Sequence, residues 1–231
     1  MPRKIRFRYF FYFLLSHFSI YYLLQHSMKN EYDFHFFVDE TIPFVPEFIW
    51  VYHTLLPVII LTIAFLIKTR RDFLITYSSF IIAALTMYAF YILFPSHYPR
   101  PELINPDSSA SLWLVDATRT IDAANNTFPS SHVTYSWLLL ISVVNMQYIN
   151  QKIKYVYLLW AMLIAVSTVT LKQHYVLDVV SGLLLSHVSY YLAKRTFHLL
   201  ANKGMKLYAG TNVTRYSERR DTDSDQGGPK S

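Results

Sequence analysis

The chain has 231 residues, of which 53% are hydrophobic and 17% aromatic against only 16% charged, a balance that points away from an ordinary soluble domain and toward a membrane protein. It has no cysteine, which excludes disulfides, thiolate-bound zinc and haem thiolates. Its net charge of +6 sits in clusters beside apolar stretches, where it faces anionic lipid, and gives little support to nucleic acid as a partner.

Taken in chain order, the first apolar stretch is 7–24. It follows the basic run "PRKIRFR" without a small-residue cleavage site and reads as a retained signal anchor. Five more follow at 50–67, 73–94, 133–149, 156–171 and 175–192, each near the length a helix needs to cross a bilayer. Basic residues cluster at the N-terminus, at Lys68, Arg70 and Arg71, at Lys152 and Lys154, and from Lys194 onward, while the intervening loops are acidic. That alternation follows the positive-inside rule and puts both termini in the cytoplasm. The expected fold is all-α: a polytopic membrane domain of six transmembrane helices over 1–198, with its active site at the outer face. Residues 199–231 are polar and charged and read as a disordered cytoplasmic tail. No internal repeat stands out, which weakens a transporter built from inverted halves.

On this topology the loop 95–131 and the short loop around Lys172 open on the same outer side, and both carry ionisable residues. "LKQHYVLDVV" sets His174 and Asp178 four residues apart, on one face of a helix. An ionisable pair at the mouth of a membrane segment is expensive and marks a functional site. The carboxylate fixes one imidazole nitrogen and leaves the other as a nucleophile or base; the plainer alternative is an Asp at a helix start. "NNTFPSSHVTYSW" places Ser130 and Ser131 before a helix, where free backbone N–H groups and the helix dipole suit a phosphate. A simple N-cap is the alternative there. His132 follows in the first turn, positioned to give a proton to a leaving oxygen. "FPSHYPRPELI" holds His97 and Arg100, the latter set between prolines as an anion-binding fork.

The order Arg-Pro, Pro-Ser-x-His and His-x-x-x-Asp, spread over 94–182, resembles the type 2 phosphatidic acid phosphatase superfamily of six-span lipid phosphatases and phosphotransferases. The resemblance implies that His174 attacks phosphorus to give a phosphohistidine, that Asp178 orients it and that His132 protonates the departing oxygen. It further implies that Arg100 and Ser130 bind the phosphate. Three positions depart from the family pattern. Leu93 stands where a lysine is expected, Ser131 replaces a glycine, and Ser167 with Thr168 replaces a Ser-Arg pair. Lys172 and His97 are then expected to replace the missing donors beside Ser131. The wording "FPSSH" and "KQHYVLD" is closer to the branch containing inositol phosphorylceramide synthases.

The resulting expectation is a bacterial plasma-membrane enzyme with a periplasm-facing site. It cleaves a phosphorylated lipid, passes the phosphoryl group to water or an alcohol, and has membrane lipids as its other partners. No metal and no other cofactor is called for, because these histidines lack a carboxylate-rich or cysteine partner set. A proton-coupled transporter would need ionisable residues at mid-depth in several spans, and a non-catalytic lipid-binding relative would be favoured by loss of His132, His174 or Asp178. The Asn125–Thr127 glycosylation sequon reads as chance, since a glycan would obstruct the site. The stretch 108–126 has no assigned role beyond shaping substrate choice, with Arg119 and Asp122 readable as an ordinary surface pair.

Overall fold

In the computed structural model, residues 1–27 and 31–224 are described, with side chains as far as Lys203. The chain divides into two compact units, Met1–Ala193 and Lys194–Ser231. The expected boundary at residue 198 falls within α9, and beyond Lys203 the side chains of the expected tail lie outside the described residues. All regular structure among the described residues is helical: α1 (Arg3–Ser27), α2 (Phe37–Thr41), α3 (Ile49–Tyr52), α4 (Leu55–Leu61), α5 (Arg70–Leu93), α6 (Ala110–Ile121), α7 (Ser131–Asn145), α8 (Gln151–Thr170) and α9 (Val176–Ser224).

Among the described residues four tracts are long and apolar enough to span a bilayer: Pro46–Leu66, Arg70–Leu93, Gln151–Thr170 and Val176–Lys203. They cover four of the six expected spans. The first of these contains α3, α4 and a π-helical turn, Thr62–Leu66. Large apolar side chains face outward from them, among them Leu61, Phe65, Leu85, Ile92, Val156, Leu159 and Leu184. Helices apolar on their outer as well as their inner face belong in lipid.

The other two expected spans are also helices, of different character. α1 has 25 residues and begins with four cations, Arg3, Lys4, Arg6 and Arg8, yet exposes Phe11, Tyr12, Leu15, Phe18 and Leu23. α7 is only 15 residues long, about 22 Å of helix at 1.5 Å per residue. It is the core helix. Val133, Leu138, Leu139 and Val143 are fully buried, and it packs on α5 and α8.

The segment between α5 and α7, expected to be loop, contains α6. Ser109 caps it by accepting a hydrogen bond from the Leu112 N–H at 3.2 Å. α6 lies against α3: Trp50 Nε1 donates to Ser111 Oγ at 3.0 Å, and Val115 joins Ile49, Tyr52 and Leu171 in a buried cluster. Two isolated bridges, Tyr32 with Ser96 and His97 with Asn125, tie the surrounding loops together.

Candidate active site

The turn between α8 and α9 carries the central histidine. Lys172 adopts a left-handed conformation, φ 56°, which reverses the chain after Leu171. The Thr168 carbonyl then accepts the N–H groups of both Gln173 (3.0 Å) and His174 (3.2 Å). His174 is 8% exposed and Asp178 is fully buried.

His174 Nδ1 lies 3.0 Å from the Thr127 carbonyl and 3.3 Å from Asp178 Oδ2. Both neighbours are acceptors, so the ring proton sits on Nδ1 and the lone pair on Nε2. The same Asp178 oxygen accepts the Tyr175 N–H at 3.0 Å, so this carboxylate touches both the start of α9 and the His174 ring. Its backbone carbonyl accepts from Ser130 N–H at 3.1 Å, linking α9 to the start of α7.

Ser130 is the N-cap of α7, with its side chain accepting from Val133 N–H. His132, two residues on, stacks on Tyr52 with ring centroids 3.9 Å apart. Its ring centroid lies 6.5 Å from that of His174, and its Nδ1 is buried without a protein partner. Close packing of α7 on α9 makes this approach possible. A Cβ added to Gly182 would lie 2.9 Å from the Ser130 carbonyl oxygen, too near for any side chain.

Arg100 reaches the site from the loop after α5. Its guanidinium donates to the carbonyls of Asp122 and Ala123 and lies 3.8 Å from the Asp122 carboxylate. Tyr21 of α1 donates to that carboxylate at 2.7 Å. Asp122 is therefore the partner of Arg100 and not of Arg119, which corrects the surface-pair reading. Arg119 instead donates to the carbonyls of Pro101 (2.7 Å) and Leu171 (3.3 Å). Burial, and next the Arg100 charge, lower Arg119 to about 10, which leaves it charged at neutral pH.

A cavity of about 400 Å³ joins these parts. Arg100, Ser131, His132, Gln173 and His174 line its polar end; Phe10, Phe13, Phe18, Ile59 and Phe80 line an apolar body between α1, α4 and α5. The expected phosphate contacts thus divide into two sets. Ser131 and Arg100 meet the histidines at the cavity wall, with Ser130 directly behind them as the helix cap. Lys172 and His97 are not among the lining residues. Lys172 Nζ donates to the Asp39 carbonyl at 2.8 Å, and His97 has its Nδ1 buried without a partner beside the bridge to Asn125. Among the described residues no three His, Asp or Glu side chains form a set that could hold a metal ion. Asn125 is buried and donates to the Gln25 carbonyl at 2.7 Å, a position inaccessible to a glycan.

The PAP2 superfamily pattern matches residues 33–192, which is 160 of the 231 residues and takes in Arg100, Ser130, Ser131, His132, His174 and Asp178 but not the α1 residues of the cavity. The chain belongs to the PAP2 superfamily. An uncharacterized protein of Methanocaldococcus jannaschii is 33% identical over 82 residues, 36% of this chain. The match spans about a third, 32%, of that relative's length. A crystal structure of Aquifex aeolicus LpxE superposes with a TM-score of 0.46 and 16% identity, covering 77% of this chain and 94% of LpxE. Membership of the PAP2 superfamily, together with the apolar helices, supports a membrane protein.

Four residues of this PAP2 site carry no recognisable signal in the sequence. Asp39 accepts the Val176 N–H, the first of α9, at 2.8 Å from 137 positions away, a pairing no local pattern predicts. Asp122 and Tyr21, which hold Arg100, come from separate segments. Gln173 sits beside His174 in the quoted stretch, but an amide there fits no motif. Its position on the cavity wall is visible only in the fold.

Proposed function

We propose that the protein is an integral membrane enzyme that cleaves the phosphate ester of a lipid through a phosphohistidine on His174. The observation that carries this reading is the convergence of His174, His132, Arg100 and Ser131 on one cavity whose other end is apolar, a shape suited to a phosphate attached to a hydrocarbon chain. His174 Nε2 uses its lone pair to form the N–P bond, while the P–O ester bond breaks and its electron pair goes to the leaving oxygen. His132 supplies the proton that this oxygen takes. Asp178 and the Thr127 carbonyl hold the Nδ1 proton and stabilise the positive ring that forms. In the second step water or an alcohol attacks phosphorus, giving its proton to His132, and the N–P bond breaks. Arg100 and the backbone N–H groups at the start of α7, around Ser130 and Ser131, balance the charge on the phosphoryl oxygens.

Lys172 and His97 are assigned supporting positions outside the cavity lining, Lys172 by fixing the turn before His174. In this reading residues 1–198 form a six-helix membrane domain in a bacterial plasma membrane, with both termini and the polar tail cytoplasmic and the site facing the periplasm. The alternation of basic and acidic loops supports that orientation.

Phosphate release from short-chain lipid phosphates by the purified protein in detergent tests the proposal. Release is expected from the wild type, unaffected by EDTA, and lost by at least about a thousandfold in His174→Ala, as for other covalent nucleophiles. Release that persists in His174→Ala sinks the phosphohistidine.

A further inference from the structure

The polar end of the cavity is short of positive charge. Among the described residues Arg100 is the one Arg or Lys that lines it, and Asp122 lines it too. Leu93, at the family's lysine position, is 65% exposed, and Thr168, at the family's arginine position, is fully buried with its hydroxyl donating to the Ala165 carbonyl. Lys172 and Arg119 are engaged by backbone carbonyls.

Against that background Gln173 stands out. It is 2% exposed, it lines the cavity next to His174, and both its amide nitrogen and its amide oxygen are buried with no protein partner. Its backbone is not free to turn away, because the N–H is held by the Thr168 carbonyl and the preceding residue occupies the left-handed region. A buried amide with neither donor nor acceptor satisfied is costly. Nothing in the fold requires the expense. Methionine has nearly the same shape and would fill the same space without it.

We propose that Gln173 is a neutral ligand for the substrate's phosphate, donating from Nε2 to a phosphoryl oxygen, and that it sets how much negative charge the site accepts. The amide supplies a hydrogen bond where a cation would supply a hydrogen bond and a charge. The site is therefore matched to a phosphate bearing one negative charge, as in a diester, better than to a doubly charged monoester. This rests on the reading of the cavity as a lipid-phosphate site, but binding tests it independently of turnover.

Calorimetric titration of the full-length protein in detergent with inorganic phosphate and with dibutyl phosphate, beside thermal unfolding, makes the test. Gln173→Met is expected to raise the unfolding temperature while weakening both anions about tenfold, the loss expected for one hydrogen bond to a charged group. A residue with a purely structural role would not produce those opposite changes. Gln173→Ala, which cannot overpack, carries the same expectation for affinity. Gln173→Lys is expected to improve inorganic phosphate over dibutyl phosphate several-fold. Unchanged anion affinity in Gln173→Met and Gln173→Ala overturns the assignment, as does a folded wild type that binds neither anion. If Gln173 governs anion binding while no lipid phosphate releases phosphate and no phospholipid donor passes its head group to an alcohol, the ligand assignment stands and the catalytic proposal fails.

Discussion

His132 and His174 are both imidazoles, and their surroundings differ in a way that suits the different roles proposed for them. His174 is pinned through Nδ1 by a carbonyl and a carboxylate, which fixes its tautomer and exposes one nucleophilic nitrogen. His132 is held by the face of Tyr52 instead, and its Nδ1 has no acceptor, so nothing commits its proton to one atom. That freedom suits a group that must give a proton in one step and take one in the next. The division leads to a prediction about leaving groups. His132→Ala is expected to slow cleavage of an alkyl phosphate about 10²- to 10⁴-fold, the usual contribution of a general acid. With a p-nitrophenyl ester, whose phenolate leaves without a proton, the loss should shrink at least tenfold. Equal losses on the two substrates, measured by steady-state release, would remove His132 from the protonation step. These histidines were legible because a spacing of four on a helix and a small-residue helix start are local patterns. Gln173 and Asp122 were not, since their importance lies in what the fold places opposite them.

The site's geometry is set by how α7 and α9 approach each other and by how α9 begins. Glycine at 182 lets the Ser130 carbonyl come within reach of α9, with Thr134 Oγ1 and Val133 Cβ also 3.1 and 3.2 Å from where a Cβ would stand. The Ser130 N–H in turn binds the Asp178 carbonyl. Any widening there shifts the Ser130–His132 turn against His174. Gly182→Ala is accordingly expected to destabilise the protein by about 1–3 kcal/mol, the cost of overpacking, and to lower turnover by about a hundredfold, since a displacement near 1 Å has that effect on aligned groups. Leu184→Ala, on the exposed face of the same helix, should change neither by much. Thermal unfolding and turnover of the two variants decide the matter, and a Gly182→Ala protein with wild-type turnover would show that this contact does not align the site. The existence of both helices could be read from their apolar runs. α6, with 12 residues, is too short for a span and does not stand out from the loop around it in the sequence. Asp39 serves the start of α9 from a distant segment, where chain proximity gives no hint.

Six apolar stretches all proved helical, but length and hydropathy single out only four as spans, and the reason differs for the other two. α7 is buried by its neighbours and is short. α1 starts in cations and turns aromatic, with Tyr and Phe lowering its hydropathy below that of an aliphatic span. Exposed aromatic and aliphatic side chains along α1 still give it a surface that water would disfavour, and its inner face forms one wall of the cavity. If α1 and α7 both cross, the loop holding Asp107 lies on the opposite side of the bilayer from the loop holding Lys152; if exactly one of them crosses, the loops between the remaining spans change sides. The absence of native cysteine makes this directly measurable, because single cysteines can be introduced at Asp107 and Lys152, both exposed and both outside the cavity lining. In intact bacterial cells expressing the full chain, a membrane-impermeant maleimide is expected to label Asp107→Cys at once and Lys152→Cys only after the membrane is opened. The reverse order would invert the orientation given by the basic loops and put the phosphate site on the cytoplasmic face. Equal labelling of both in intact cells would place the two loops on one side and remove α7 as a crossing helix, since it lies between them in the chain and only an even number of crossings can then separate them.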